Sequence, residues 1–289
     1  VGAGQRAGLQ GSASYAGAPK SGVLMNGSAA SRVVESNAEG VNVGDIVTCP
    51  AGWQAFSVHK ASEVTVVPAG GDPAHYLGVL GTNGLTAYFG LLDLGEPKAG
   101  DTVLVSAAAG SVGHIVGQIA KLKGCTVVGT AGTDEKCHAL MDQLGFDRTI
   151  NYKDTDFRNA FKEACGDGID IYFDNTGGDI LGAALRRMKT HGRIVCCGVV
   201  SQYDTSTPAP GPRGIPGLLV NNRVRMEGFL VFDYADQYGD ARTTMRGWID
   251  SGELVPLQDE FGGLENAPAA FVDMLAGGNL GTRIIRVAS

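Results

Sequence analysis

The 289-residue chain has little positive charge: 23 Lys and Arg stand against 30 Asp and Glu, a formal net charge of −7, and the basic residues form no run. A nucleic acid or an anionic membrane needs a concentrated basic footprint, so neither is the expected partner. No stretch approaches the roughly 18 uninterrupted apolar residues of a membrane-spanning helix. The first residues, Val1-Gly2-Ala3-Gly4, do not read as a basic-then-apolar leader. The expectation is a soluble, cytoplasmic protein that acts on a small molecule.

Proline is scarce, at 11 residues, and the 44 glycines follow no three-residue period. Glycine at about twice its usual ~7% share without that period excludes collagen and leaves a fold with many tight turns. The six cysteines (Cys49, Cys125, Cys137, Cys165, Cys196, Cys197) include no Cys-x-x-Cys pair, and the five histidines show no metal-ligand spacing. They read as reduced, mostly buried thiols and scattered imidazoles, with no metal site expected. Also missing are a Gly-x-x-x-x-Gly-Lys-Ser/Thr phosphate loop, a Gly-x-Ser-x-Gly nucleophile elbow and a Tyr-x-x-x-Lys pair.

What is present falls into two styles. With domains of roughly 100 to 200 residues, the length predicts two lobes and a cleft between them. The Gly-, Ala- and Ser-rich first twenty residues are expected to stay unordered. Short β-type runs at 32–34, 45–48, 55–58 and 64–67 predict a small antiparallel sheet or barrel. A helical stretch over 73–94 follows. Strand candidates at 102–107, 126–130, 148–151, 169–174, 193–197 and 225–231 then alternate with helices, which predicts a doubly wound parallel sheet. The first crossover helix carries Val112, Val116, Ile119 and Ala120 and ends at Lys121, Lys123 and Gly124. The tail over 255–287, strand-like at both ends of a helix near 267–276, is expected to complete the first lobe.

The first strand of the alternating region runs Val103-Leu104-Val105-Ser106-Ala107-Ala108-Ala109-Gly110-Ser111-Val112-Gly113 into a helix. In this dinucleotide-type turn Ala108 takes the first glycine position. Gly110 lets backbone approach a pyrophosphate, Gly113 permits close helix–sheet packing, and the helix N-terminus faces the phosphates. At the tip of the second strand, where a carboxylate would hold the ribose diol of NAD, the sequence is Thr130-Ala131-Gly132-Thr133-Asp134-Glu135-Lys136. Small residues leave room there for a 2′-phosphate, Thr133 can cap the next helix, and Lys136 lies one turn in. NADP(H) is therefore the expected cofactor. The plain alternative for Lys136 is a solvated helix lysine, and Asp134 stands close by. Oxidising an alcohol would lack a base here, whereas reduction of an activated C=C bond mainly needs two carbons oriented and a developing enolate hydrogen-bonded.

The runs Gly84-Leu85-Thr86-Ala87-Tyr88-Phe89-Gly90, Ser106 to Gly113, Gly117-Gln118-Ile119-Ala120-Lys121-Leu122-Lys123-Gly124-Cys125, Asp134-Glu135-Lys136, Asn151-Tyr152-Lys153, Tyr172-Phe173-Asp174-Asn175-Thr176-Gly177-Gly178, Glu227-Gly228-Phe229 and Gly278-Asn279-Leu280-Gly281 resemble the zinc-free medium-chain dehydrogenase/reductases, in the branch of prostaglandin reductases and bacterial curcumin reductases. The likeness runs from about Met25 to Val287. It implies an α/β fold with a Rossmann doubly wound parallel sheet (86–252) and a GroES-like β-barrel lobe (1–85 with 253–289) that is shortened at its start. It also implies NADPH in the cleft, reduction of α,β-unsaturated ketones and aldehydes, and a homodimer formed by edge pairing of Rossmann sheets.

By the same resemblance, Ala109, Gly110, Ser111, Val112 and Gly113 hold the pyrophosphate, while Gly132, Lys136 and Tyr152 hold the 2′-phosphate end. Asn175, Cys197, Gly198, Val199, Tyr203, Phe229, Leu230 and Val231 line the cofactor groove, and Thr86 and Asn279 stand near the nicotinamide half. Tyr152 and Tyr203 also read as partly buried aromatics with satisfied hydroxyls. Tyr234 matches a tyrosine that approaches the substrate carbonyl in some relatives, and Phe232 stands where others have theirs. The chain departs from the family at Thr82-Asn83, where Met-Pro is usual, and in lacking an early Asp-Pro-Tyr-Met-Arg segment. Two other readings stay open: a quinone reductase of the same superfamily, and an NADPH-binding protein without catalysis.

Overall fold

Short β-type runs near the start pair with their neighbours, though not at every position expected. In this computed structural model, which describes residues 1–10, 21–203, 205, 207 and 210–287, a helix α1 (Gly4–Gln10) precedes strands β1 (Ala29–Arg32), β2 (Ile46–Cys49) and β3 (Thr65–Val66). They form an antiparallel sheet in that order, Ser31 opposite Val47 and Val47 opposite Val66. The expected strand at 32–34 thus ends where it was to begin. The run at 55–58 is irregular, with Phe56 79% and Val58 99% exposed, because among the described residues no neighbouring strand takes its backbone groups and no core covers these side chains. Gly4–Gln10 is ordered as a helix, its first amides donating to the carbonyls of Gly2 and Ala3; residues 11–20 of the stretch expected to stay unordered lie outside the described residues.

The helical stretch over 73–94 is made of three pieces. A 3₁₀ turn (Pro73–Leu77) is capped by Asp72, which accepts from the Ala74 amide at 2.9 Å; α2 (Thr82–Phe89) follows and runs into a π-helical turn (Gly90–Gly95).

Strands and helices then alternate: β4 (Thr102–Val105), α3 (Gly113–Leu122), β5 (Thr126–Ala131), α4 (Asp134–Leu144), β6 (Arg148–Asn151), α5 (Phe157–Ala164), β7 (Ile169–Asp174), α6 (Gly178–Leu185), β8 (Met188–Cys196), α7 (Ile215–Asn222) and β9 (Arg225–Gly228). The sheet is six-stranded and parallel throughout, ordered β6-β5-β4-β7-β8-β9. β8 begins five residues before the expected 193, and the expected 225–231 gives way after Gly228 to a 3₁₀ stretch, Val231–Gln237. Val103, Val105, Val127, Phe173 and Val195 face one core, shared with α3; Leu104, Val128, Tyr172 and Ile194 face the other. Both faces are covered, as a parallel sheet requires. Val79, Leu80 and Leu254 belong to the first core although they fall outside 86–252.

The chain continues through α8 (Tyr238–Asp250), β10 (Gln258–Gly262), α9 (Ala267–Leu275) and β11 (Thr282–Arg286). β10 and β11 pair in parallel across α9. Buried Arg283 binds Asp259 and Asp273, each at 2.5 Å, and lies over the Phe261 ring. The returning segment is fastened to α3: Gln118 exchanges two hydrogen bonds with the backbone of Val255, at 2.7 and 3.1 Å. No helix among the described residues is long and apolar enough to cross a membrane.

Candidate active site

The winding of the sheet reverses between β4 and β7, and a ligand crevice is expected outside the carboxyl ends of these strands. The turn after β4 lies there. Ala107 adopts a left-handed φ of 47° and the Gly110 amide donates back to its carbonyl at 2.9 Å. A Cβ on Gly113 would stand 2.3 Å from the Ala107 carbonyl oxygen and 2.7 Å from the Ala108 Cα, so only glycine lets α3 begin this close to the turn. At Gly110 a Cβ would meet only that same oxygen, at 3.1 Å. No side chain caps α3 at Val112; the His114 and Ile115 amides donate to the Gly110 and Val112 carbonyls at 3.3 and 3.0 Å, so it is the turn before them and the partial positive charge of the helix that face an anion. Ala109, Gly110, Ser111, Val112 and Gly113 thus form one turn that could hold a pyrophosphate.

The next strand tip supplies the other end. Thr133 caps α4, accepting from the Lys136 amide at 3.3 Å. A Cβ on Gly132 would lie 3.1 Å from the Tyr152 hydroxyl and 3.3 Å from the Lys153 Cε, so Gly132, Tyr152 and Lys153 share one spot. Asp134 is occupied, its Oδ1 accepting from the Asn151 side-chain Nδ2 at 2.8 Å. The Lys136 ammonium donates to the carbonyls of Gly277 (2.5 Å) and Asn279. Burial first and Arg283 second hold it below the ordinary lysine range.

Across the switch point a buried network joins the strand ends. Asp174 Oδ1 accepts from the Tyr172 hydroxyl (2.7 Å), the amides of Gly177 (2.8 Å) and Thr176 (2.9 Å), and the Ser106 hydroxyl (3.3 Å). Burial and this carboxylate keep Tyr172 protonated, well above the ordinary tyrosine range. Asn175 is buried, its backbone amide donating to the Ser106 hydroxyl (2.9 Å) and its side chain to the Ser106 carbonyl (2.7 Å). The amides of Cys197 and Gly198 donate to the Asp174 carbonyl at 2.9 and 3.1 Å, and the Val199 amide reaches the Tyr203 hydroxyl at 3.4 Å.

A pocket of about 170 Å³ opens beyond β8 and β9, lined by Thr82, Thr86, Cys197, Phe229, Leu230, Val231 and Phe232. Five of these residues were expected at the groove, and the fold brings them together from α2 and the ends of two strands. Thr82 and Phe232 were not among the expected groove residues; the departure from the family at Thr82-Asn83 was the only signal for the first. Burial and Asp174 push the Cys197 thiol up to about 12, so this wall is a poor nucleophile. Thr86 donates its hydroxyl to the Thr82 carbonyl at 2.7 Å.

Tyr234 does not line this pocket. Its ring stacks on Phe89 (centroids 4.5 Å apart, 15°) and its hydroxyl donates to Asp93 at 2.5 Å. Burial and that carboxylate push it up to about 12. Asn279 is buried on the loop before β11, its side chain donating to the Gly281 carbonyl at 2.9 Å. Among the described residues no three His, Cys, Asp or Glu side chains gather where they could hold a metal ion.

A glycine cradle at the switch point of a sheet ordered in this way, with a pocket at the same carboxyl edge, defines a dinucleotide-dependent α/β oxidoreductase. The chain belongs to the medium-chain dehydrogenase/reductase family, in its NADPH-dependent oxidoreductase branch. A family model described as zinc-binding dehydrogenase matches residues 111–246. The chain is 42% identical over 275 residues to the NADPH-dependent curcumin reductase of Escherichia coli (strain K12), covering 92% of this chain and 79% of that protein. It is 44% identical over 274 residues to prostaglandin reductase 1 of Mus musculus, covering 92% and 82%. The crystal structure of CurA in complex with NADPH from Vibrio vulnificus superposes with a TM-score of 0.95 at 38% identity, covering all of this chain and 87% of that one.

Proposed function

We propose that this protein reduces the C=C bond of α,β-unsaturated ketones and aldehydes with NADPH, without zinc. The observation that carries the reading is the pocket between α2 and the ends of β8 and β9: it is mostly apolar, holds only threonine hydroxyls and an inert thiol as polar groups, and contains no side-chain acid–base pair. Such a site can orient an alkene but has no base with which to oxidise an alcohol.

When bound, NADPH would supply a hydride for the β-carbon of the enone. The 109–113 cradle and the α3 N-terminus would hold the pyrophosphate, and Gly132, Lys136 and Tyr152 would hold the 2′-phosphate end. Asn175 and the 197–199 turn, with Tyr203 beneath it, fix the groove wall. Phe229, Leu230, Val231 and Phe232 keep water from the reacting carbons. With Thr86 already donating to a backbone carbonyl, the Thr82 hydroxyl is the donor for the developing enolate oxygen, and the final proton comes from solvent. Tyr234, committed to Asp93, backs Phe89 rather than the substrate.

The lobes are taken as 1–85 with 253–289 and 86–252, supported by the lack of strand pairing between the six-stranded sheet and the two smaller ones among the described residues. The free thiols suit a reducing cytoplasm. A homodimer through the exposed edge strand β9 is part of the same reading. The test is loss of reduced-nicotinamide absorbance with the purified protein and a panel of enones, enals and quinones. Turnover of the first two supports the reading, quinones alone would assign a quinone reductase, and NADPH binding without turnover of any would leave a binding protein.

A further inference from the structure

Lys136 is the expected 2′-phosphate ligand, yet in the structure its ammonium is held by the chain's own backbone, at the carbonyls of Gly277 and Asn279. Both lie on the loop between α9 and β11. The other end of that loop is bound to the phosphate cradle: the Gly281 amide donates to the Ala109 carbonyl at 2.8 Å, and the Ser111 hydroxyl donates to the Gly281 carbonyl at 3.4 Å. Gly281 sits at a left-handed φ of 74°, and a Cβ there would come 2.3 Å from the Leu257 carbonyl oxygen, so the backbone is fitted to this one path. Asn279, whose carbonyl is one of the Lys136 partners, is buried, with its side-chain amide donating to the Gly281 carbonyl, and so joins the two attachments.

We propose that Lys136 is a positioning residue: it straps the 277–281 loop across the cofactor groove, so that one side chain serves the adenosine end and also fixes Asn279 and the phosphate cradle. An ammonium has three donors. Two are taken by the loop carbonyls and one remains for a 2′-phosphate oxygen, so both duties are met at once. A lysine serving the phosphate alone would alter only NADPH binding when removed. A strap must also be felt by NADH, which has no 2′-phosphate for Lys136 to touch.

The inference rests on the reductase reading, and its test separates the two. In Lys136→Met, hydrogen exchange of the Gly281 amide in the cofactor-free protein should quicken by about tenfold, the loss of charge-assisted bonds at one end of a short loop. At saturating NADH, kcat with an enone should fall several-fold, while the KM for NADPH rises. Lys136→Arg, whose guanidinium can reach the same carbonyls, should keep the exchange rate of the parent; it also serves if the methionine variant does not fold, because quickened exchange in a folded arginine variant would speak against the strap. Unchanged Gly281 exchange and unchanged NADH kcat in Lys136→Met would overturn the strap and leave the reductase standing. Quickened exchange in a protein whose parent turns over no enone would support the strap and remove the reductase.

Discussion

His114, on the buried side of α3, accepts at Nε2 from the Leu257 amide (3.4 Å), so Nδ1 carries the proton and donates to the Gly110 carbonyl at 2.8 Å. This neutral ring clips the returning segment to the phosphate cradle. Burial lowers it from 6.5 to about 4, against a smaller opposing effect of the Gly110 carbonyl. The unfolded chain therefore binds the extra proton first as pH falls. The contribution is full above 6.5 and is lost on the way down to about 4, a span worth roughly 3 kcal/mol. Urea unfolding across that window should show a shallower decline for His114→Gln than for the parent; equal slopes would mean the ring is not kept neutral by the fold. Two further residues separate chemistry from packing. Thr82→Val should lower kcat with an enone by about ten- to a hundredfold with little change in the KM for NADPH, whereas Tyr234→Phe should stay within about twofold of the parent, as expected of a donor to the enolate and of a ring wall respectively. Steady-state kinetics on both decides it, and the reverse pattern would return the catalytic part to Tyr234. Here the sequence was readable only halfway. Tyr234 and Phe232 lie two positions apart on a 3₁₀ turn, and which of them faces the pocket depends on the stacking of Tyr234 against Phe89, a contact between residues 145 positions apart.

At the level of elements, the β4 to α3 turn was legible because its constraint is local. A close helix start demands glycine at 113, and a pyrophosphate demands a small residue at 110. The two glycines should fail differently. Gly113→Ala drives a methyl into backbone 2.3 Å away and should destabilise the fold by about 1–3 kcal/mol. Gly110→Ala meets one oxygen at 3.1 Å and should stay within about 1 kcal/mol of the parent, but the added methyl crowds the cradle and should weaken NADPH by about tenfold or more. Denaturant unfolding and a nucleotide fluorescence titration measure the two effects, and identical behaviour of both variants would show that the glycines share one role. The strand at 55–58 was misread for the opposite reason: alternation in four residues says nothing about whether another strand will come alongside. The extension of β8 back to Met188 was likewise invisible, since Lys189, Thr190, His191 and Gly192 carry no hydrophobic period and form the irregular stretch between the Ile169–Met188 and Ile171–Arg193 pairs.

At the scale of the whole molecule, the doubly wound parallel sheet follows from alternating strands and crossover helices, whereas the order β6-β5-β4-β7-β8-β9, which sets the position of the crevice, is seen only in the structure. The tail was expected to complete the first lobe, and its fastening by Lys136, His114 and Gln118 was not legible, because each of these joins residues more than 130 positions apart. The same topology leaves β9 at an edge, four residues long and largely exposed, with hydrogen bonds to β8 on one side and no partner strand on the other among the described residues. Edge strands are usually blunted by charge or covered by another chain. Arg225 is turned back onto Glu96 and the Leu94 carbonyl, and its second carboxylate, Glu227, is 3.6 Å away, so the charges here largely satisfy one another and leave the backbone edge open to a like strand. Two copies pairing these edges about a twofold axis would form a closed dimer and consume the edge, with no route to a filament. Sedimentation should therefore report a dimer at micromolar concentrations, and the outward-facing amides of β9 should exchange slowly there and faster on dilution as the dimer dissociates. A monomer at all concentrations, or β9 amides whose exchange ignores dilution while the mass halves, would place the contact elsewhere.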